Sequence, residues 1–388
     1  MAVKKPVSAL PPLTIGIDGN EANVTRRVGS NVYAYYLIKS LYELNSSHTY
    51  IIYLKEPPQA DMPVPHEKWQ YRIMPFSRLW TQIRLPLELW MTSTRPDVFL
   101  SPGHYVSPLL PVPVVISIMD LAYLTHPQFF RQSDLIQLRT WTQRSINKSQ
   151  HILTISEYSK NDIPKYYQYD PNNITVTYPG INHNKYFFPQ NDGDINRVKK
   201  QFGISKNYLL YVGTLQPRKN LDGLVKAFAN LKMNDYQLVI AGKKGWMYES
   251  LFQLVEKMGL QKQVIFTDFV LDEDLPPLMA GARALVLVSF YEGFGIPVAE
   301  ALAVGTPAVV SGVSSLPEVL GGAGFKVDPN NIKSITQGLK KIINLNQTEY
   351  SQLMDKGIAH VKLFQWDRVA VQTNKVLEKI FLLNNKDL

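Results

Sequence analysis

Between Asn207 and Ser311 short β-branched, apolar runs alternate with stretches of helical periodicity, and few folds accommodate that alternation. Runs suited to buried strands are Tyr208–Val212, Gln237–Ala241, Val264–Thr267, Ala284–Ser289 and Ala308–Ser311. Helical patterns lie between them, at Leu221–Leu231, Met247–Met258, Leu275–Ala280 and Pro297–Val304. Strands that each hand on to a helix build a parallel sheet covered on both faces. The first half reads the same way with less regularity. Its strands fall at Leu13–Asp18, His48–Leu54, Trp69–Met74, Asp97–Leu100, Val112–Ile118, His151–Ser156 and Asn173–Tyr178. Its helices begin after Gly29 and cover Ser133–Asn147 and Glu157–Tyr167, the last opened by a Ser156 cap. Ile332 to Leu383 is helical. At 388 residues the chain exceeds one ordinary core. The expected class is α/β, two doubly wound domains with a cleft between them, divided near the polar stretch Asn182–Asn196.

Composition narrows the chemistry. Cysteine is absent, which removes disulfides, thiolate catalysis and zinc–sulfur sites and fits a reducing compartment. The net charge is +9, of which residues 1–200 carry +6. That moderate excess favours anionic ligands or an acidic membrane surface, and no nucleic-acid motif accompanies it. No apolar run approaches the roughly 20 residues that span a bilayer. The start, MAVKKPVSALPPLTIGI, has lysines, but its prolines break up a signal-like apolar core. The expected location is cytoplasmic, with peripheral contact at the inner membrane surface as a further option. Phe76–Trp90 bears on that option, mixing Trp80, Ile83, Leu87 and Trp90 with Arg78 and Arg84. It reads first as a helix with a buried aromatic face and a kink at Pro86. The competing reading is a segment lying in lipid headgroups.

Two strand-to-helix turns carry the chemistry. In FYEGFGIPVAEALAVG (290–305) a glycine loop follows an apolar strand, Pro297 suits the first helical turn, and Gly305 with Pro307 stops the helix. The geometry aims backbone N–H groups and a helix dipole at one spot, an anion site. Glu292 sits in the loop and Glu300 near the helix start. Carboxylates repel phosphate but accept hydrogen bonds from hydroxyls, so the pair suits a phosphate-linked molecule that carries sugars. The plain alternative for Glu300 is an ordinary acidic first turn. In YLLYVGTLQPRKNLDGLVKAF (208–228) Arg218 and Lys219 precede a helix that Asn220 could cap. Two cations at a helix N-terminus make a diphosphate clamp; the alternative is a solvent-facing basic pair.

Together these turns resemble the retaining glycosyltransferases of family 4 (glycosyl transferases group 1), which have the GT-B fold: two Rossmann-like domains facing across a cleft. The residues that carry the resemblance are YVGTLQPRKNL (211–221), EGFGIPVAEALAVGTPAVVS (292–311) and SSLPEVLGGAGFKVDP (314–329). In the first half DLAYLTHPQFF (120–130), ILTISEYSKNDI (152–163) and Gly29 fit more loosely. The resemblance implies a nucleotide-sugar-binding domain over residues 185–365, an acceptor-side domain over 1–184, and a terminal helix, 366–388, that crosses back. It implies that Arg218 and Lys219 neutralise the donor diphosphate, with Gly213 and Thr214 in the same turn. Glu300 would take the ribose hydroxyls and Glu292 the transferred sugar. Gly293, with backbone N–H groups of Phe294, Gly295 and Ile296, would contact phosphate and sugar, and Gly29 would let the facing loop approach the diphosphate. Leu316–Val319 would support the nucleotide by packing.

The sequence departs from that pattern in two places. Where the family often has a histidine before an aspartate, this chain has Met119-Asp120, leaving Asp120 with His104 or His126 on the acceptor side; for each histidine a structural role is the plain reading. Where relatives often have an arginine after Gly213, this chain has Thr214. Asp192-Gly193-Asp194 and Asp272-Glu273-Asp274 lie away from the phosphate turns and read as solvated loops, so no metal and no other cofactor is implied. The mannosyltransferase-like version of the first motif favours GDP-mannose as donor, with UDP-glucose next, and a saccharide or lipid-linked acceptor. The alternatives are a GT-B nucleotide-sugar epimerase and a non-catalytic sugar-nucleotide binder. A dinucleotide oxidoreductase would need a Gly-x-Gly-x-x-Gly turn, which Gly16 and Gly19 do not make.

Overall fold

The computed structural model describes residues 11–76, 78–188, 192–245 and 249–385. The lysine-bearing start and the first residues of the expected Met247–Met258 helix, which here covers Glu249–Lys257, lie outside them.

Two parallel sheets organise the chain. The first contains β1 (Thr14–Asp18), β2 (Thr49–Leu54), β3 (Trp69–Ile73), β4 (Val98–Ser101), β5 (Val114–Ile118), β6 (His151–Thr154) and β7 (Ile174–Val176), in the order β3-β2-β1-β4-β5-β6-β7. The second contains β8 (Asn207–Val212), β9 (Tyr236–Ala241), β10 (Val264–Asp268), β11 (Ala284–Leu287), β12 (Ala308–Ser311) and β13 (Gly324–Val327), in the order β10-β9-β8-β11-β12-β13. Both are doubly wound. Their central strands are buried along their whole length, which explains why they read as unbroken apolar runs. This is the two-domain α/β architecture that the resemblance implies. In each sheet the winding reverses beside the first strand, between β1 and β4 and between β8 and β11. Crevices at such reversals are where open α/β sheets bind ligands.

The strand β13 has no counterpart in the sequence reading, because GFKV is short and only partly buried. It docks closely: a Cβ on Gly324 would lie 1.8 Å from the Ala308 carbonyl oxygen of β12. Helix Gly193–Gln201 rises inside the stretch read as polar linker. Phe76–Trp90 also departs from expectation. It forms a π-helical turn, Trp80–Arg84, followed by helix Leu85–Met91. Pro86 has no N–H for the Gln82 carbonyl one turn back; Ser107 Oγ donates to that oxygen instead, at 3.2 Å. Trp80, Leu85 and Leu89 are buried, whereas Ile83, Leu87 and Trp90 face solvent, so the expected aromatic face is only half covered.

The carboxyl edges of the sheets face each other and touch. Tyr291, after β11, places its hydroxyl 3.4 Å from the Leu121 amide after β5. The Glu318 carboxylate accepts from the Glu157 and Tyr158 amides (3.0 and 3.2 Å) that open helix Glu157–Tyr167, and from the Tyr178 hydroxyl at 3.0 Å. An anion there meets the positive end of the helix. The last helix, Trp366–Asn384, lies on the first domain: Trp366 stacks on Tyr36 with ring centroids 5.2 Å apart, and Tyr50 Oη donates to Asn374 Oδ1 at 3.0 Å.

Candidate active site

The crevice of the second sheet holds both informative turns. After β8, Gly213 adopts φ 152° and the Tyr211 hydroxyl donates to the Thr214 carbonyl at 3.2 Å. The chain then makes the 3-10 turn Pro217–Lys219. Asn220 was expected to cap the next helix through its side chain. Instead it takes φ 56°, and its buried amide donates to the Val288 and Pro329 carbonyls at 3.1 and 2.8 Å. It thereby ties the turn to the end of β11. Phe290 N donates to the Arg218 carbonyl at 2.9 Å, so the two turns are hydrogen-bonded to each other.

Glu292 stands where they meet and is 6% exposed. Its Oε1 accepts from Lys219 Nζ at 2.5 Å and from Ser289 Oγ at 2.6 Å, and its Oε2 from Arg218 Nη1 at 3.3 Å. Arg218 Nη1 also donates to the Tyr291 carbonyl. Burial would raise the Glu292 pKa, but Lys219, Arg218 and the Ser289 hydroxyl outweigh it and hold it at about 2. For Lys219 burial dominates and pulls the ammonium below its usual range, against the pull of Glu292. The loop is braced from β12: Ser314 Oγ accepts from Glu292 N at 3.0 Å, and Ser315 Oγ donates to the Glu292 and Phe294 carbonyls, each at 2.9 Å.

Next comes the amide cradle. Gly295 adopts φ 103°, and a Cβ there would meet Leu316 at 2.6 Å. Helix Ile296–Ala303 starts beyond it, and its own pairing begins with Val298 N to Gly295 O, at 2.9 Å. The amides of Phe294, Gly295 and Ile296 thus precede the first paired turn at the positive helix end. Glu300, the fifth residue of that helix, belongs to a different neighbourhood. Burial pushes its carboxyl up to about 7, against a Tyr186 hydrogen bond and the Lys185 charge. The two predicted carboxylates, eight residues apart on loop and helix, are therefore in opposite electrostatic states.

The first domain supplies the facing wall. A Cβ on Gly293 would lie 2.9 Å from Asp120 Oδ2 and 3.2 Å from the Met119 carbonyl, so glycine permits the walls to meet. Asp120 is close enough to act electrostatically on both Arg218 and Lys219. His104 Nε2 accepts from the Met119 amide at 2.9 Å, and burial lowers its pKa despite Asp120. His104 therefore backs the Met119-Asp120 corner as a neutral ring with its Nδ1 protonated. His126 stacks on Phe129, and its pKa is lowered by burial and by Arg218. Phe129 stacks in turn on Phe290 across the cleft, with centroids 5.5 Å apart. Gly29, at φ 56°, opens helix Ser30–Glu43, and the space where a Cβ would project is empty.

Arg218, Lys219, Glu292, Gly293 and Asp120 thus come together, and Glu300 lies one helical turn away from the cradle. Sequence reasoning missed Ser289, Ser314, Ser315 and Tyr291. Short hydroxyls at the carboxyl ends of β11 and β12 were the available signal. Of the two acidic triplets, Asp274 is no solvated loop: it is 2% exposed and pairs with Arg197 at 2.8 Å. Among the described residues no cluster of three or more His, Asp or Glu side chains could hold a metal ion.

Comparison with known proteins agrees with this layout. Residues 193–358 match the family model described as glycosyl transferases group 1, and residues 28–185 match glycosyltransferase family 4. The chain is 33% identical over 264 residues to O-antigen chain mannosyltransferase B of Escherichia coli, covering 67% of this chain and 68% of that protein. It is 32% identical over 244 residues to O-antigen chain mannosyltransferase RfbU of Salmonella typhimurium, covering 62% and 64%. A solved structure of HepE from Anabaena, in complex with UDP-glucose, superposes with a TM-score of 0.74 at 18% identity, covering 95% of this chain and 100% of that one.

Proposed function

The chain belongs to the family 4 glycosyltransferases with a GT-B fold, and from that premise we propose that it transfers mannose from GDP-mannose to a saccharide or lipid-linked acceptor hydroxyl, retaining the anomeric configuration. The donor diphosphate lies against Arg218, Lys219 and the amides of Phe294–Ile296. Glu292 accepts hydrogen bonds from the transferred sugar and Glu300 from the ribose. The relatedness to O-antigen chain mannosyltransferases favours mannose, and the HepE complex keeps UDP-glucose as the second donor to test.

The observation that carries the mechanism is the occupation of Glu292. Both of its oxygens are held by cations and its pKa is about 2, so it is a weak base and a weak nucleophile. That favours a front-face route over double displacement. The bond between the anomeric carbon and the donor phosphate breaks, and the acceptor oxygen bonds on the same face. The acceptor proton passes to the departing phosphate oxygen. Arg218, Lys219 and the helix end stabilise the charge growing on that phosphate. Two fixed cations serve the leaving group here, so the reaction is proposed to need no metal. The domain division is proposed at residues 1–184 and 185–365, with 366–388 crossing back; its helix is Trp366–Asn384, and residues 386–388 lie outside the described residues.

A donor panel with and without acceptor tests the reading. Release of GDP that depends on acceptor, with an α-linked product by NMR, supports retaining transfer. Sugar-nucleotide turnover without acceptor would instead mark an epimerase or hydrolase, and no turnover with any donor would mark a binder.

A further inference from the structure

The segment that leaves the carboxyl end of β3 has two apolar sides, and the first domain covers only one. Trp80, Leu85 and Leu89 pack into the core beneath it with Tyr53 and Phe99. Leu79, Ile83, Leu87, Trp90 and Met91 recur at helical spacing on the other side, and together with Leu109 they are 42–83% exposed. Scattered surface leucines are ordinary, but a contiguous apolar band along one element is a contact surface. Leu79 also holds φ 55°, a conformation that leucine rarely takes. The band is continuous with the acceptor side of the cleft. Trp90 Nε1 donates to the Leu109 carbonyl at 2.9 Å, and Gln82 is bonded to Ser107, in the loop that also bears His104.

Its charge selects the occupant. From residue 72 to residue 95 the charged side chains are Arg72, Arg78, Arg84, Glu88, Arg95 and no others, a net +3. Arg78 and Arg95 stand exposed at the rim, with Arg95 over the Trp90 ring at 5.3 Å. Arg72 and Arg84 share the single carboxylate of Glu88, at 3.0 and 2.7 Å, in the floor of an open hollow of about 460 Å³ that Leu87 and Met91 also line. Two guanidinium groups against one carboxylate leave positive charge where a phosphate diester can be held. Apolar side chains that reach past a cationic rim, with a tryptophan at the boundary, match a lipid headgroup layer.

We propose that this face, Leu79–Met91 with Leu109 and the arginine rim, docks the enzyme on an anionic phospholipid surface, with one headgroup phosphate over the Arg72–Arg84 hollow. It rests on the lipid-linked acceptor of the proposed function, since docking there brings the acceptor side of the cleft to the membrane.

Vesicle co-sedimentation without donor or acceptor tests it, using phosphatidylcholine alone and phosphatidylcholine mixed with phosphatidylglycerol. The protein is expected to bind the mixed vesicles, less so as salt rises, and to leave the neutral ones in solution. Leu87→Ser/Trp90→Ala/Met91→Ser should abolish binding, and Arg78→Gln/Arg95→Gln should weaken it by about fivefold per arginine. These side chains are exposed, so both variants should melt with the wild type, which separates lost docking from lost folding. Equal partition into both vesicle types would overturn the proposal, as would full binding by the triple variant. A wild-type dimer that the triple variant disperses would assign the face to a second copy instead. Because no sugar is transferred in this assay, failure removes the docking face and leaves the cleft reading intact.

Discussion

Replacing Glu292 by glutamine separates the two jobs that this residue holds in the cleft. The side chain keeps its shape and can still accept from Ser289 Oγ, 2.6 Å away, but its charge is gone. Lowering the carboxyl from its ordinary 4.5 to about 2 corresponds to about 3 kcal/mol of preference for the ionised form in the folded protein. Glu292→Gln also leaves Lys219 and Arg218 buried without their counter-charge, a change that costs about 3–5 kcal/mol when one member of a buried pair is removed. A melting temperature lower by about 6–20 °C follows at 2–4 °C per kcal/mol. The sign with pH is fixed. A depressed carboxyl stabilises above its ordinary pKa, and the contribution is lost as pH falls towards 2. The difference in stability between wild type and variant should therefore be full at neutral pH and shrink between about pH 4.5 and 2. In the same variant the freed cations should hold GDP at least as tightly as wild type, while transfer falls by about 100- to 1,000-fold. Calorimetry across pH, GDP titration and turnover supply the three readouts. Near-normal transfer would refute the role given to Glu292, and a stability difference that stays flat down to pH 2 would refute its ion pair.

Other outcomes follow from the same geometry. Arg218→Ala and Lys219→Ala should each reduce GDP affinity and turnover together, by about 100-fold in turnover, checked by titration and steady-state rates. Glu300, raised to about 7, is disfavoured as an anion; Glu300→Gln should stabilise the protein at alkaline pH by about 1–3 kcal/mol, a gain that disappears below pH 4.5. If ribose hydroxyls donate to ionised Glu300, affinity for the intact sugar nucleotide should rise as pH passes through about 7 in wild type and stay level in that variant. Gly293→Ala should melt normally yet lose turnover, since its Cβ would meet Asp120 at 2.9 Å across the cleft and hold the walls apart. Glu318→Ala removes three hydrogen bonds between the domains and should loosen closure, read as a larger radius of gyration by small-angle scattering.

The doubly wound sheets were legible because their strands are buried on both faces, which makes each an apolar run bounded by turn residues. β13 was not, since a half-covered edge strand of four residues carries no such contrast. The clamp was legible as two cations before a helix, but not its closure onto Glu292, because contact between residues 73 apart in sequence depends on β8 and β11 lying side by side. Asn220 misled for a related reason. Its type suits a cap, and only the tertiary structure offers its amide two buried carbonyls instead. In Phe76–Trp90 the periodicity was plain, yet periodicity cannot say which of two apolar sides the domain covers.

The crystal structure of the protein with GDP-mannose bound tests the central claim most directly. The account predicts the diphosphate within hydrogen-bonding distance of Arg218, Lys219 and the amides of Phe294–Ile296, with the ribose on Glu300 and the mannose on Glu292. A diphosphate bound elsewhere, with Arg218 and Lys219 engaged by Glu292 alone, would contradict it.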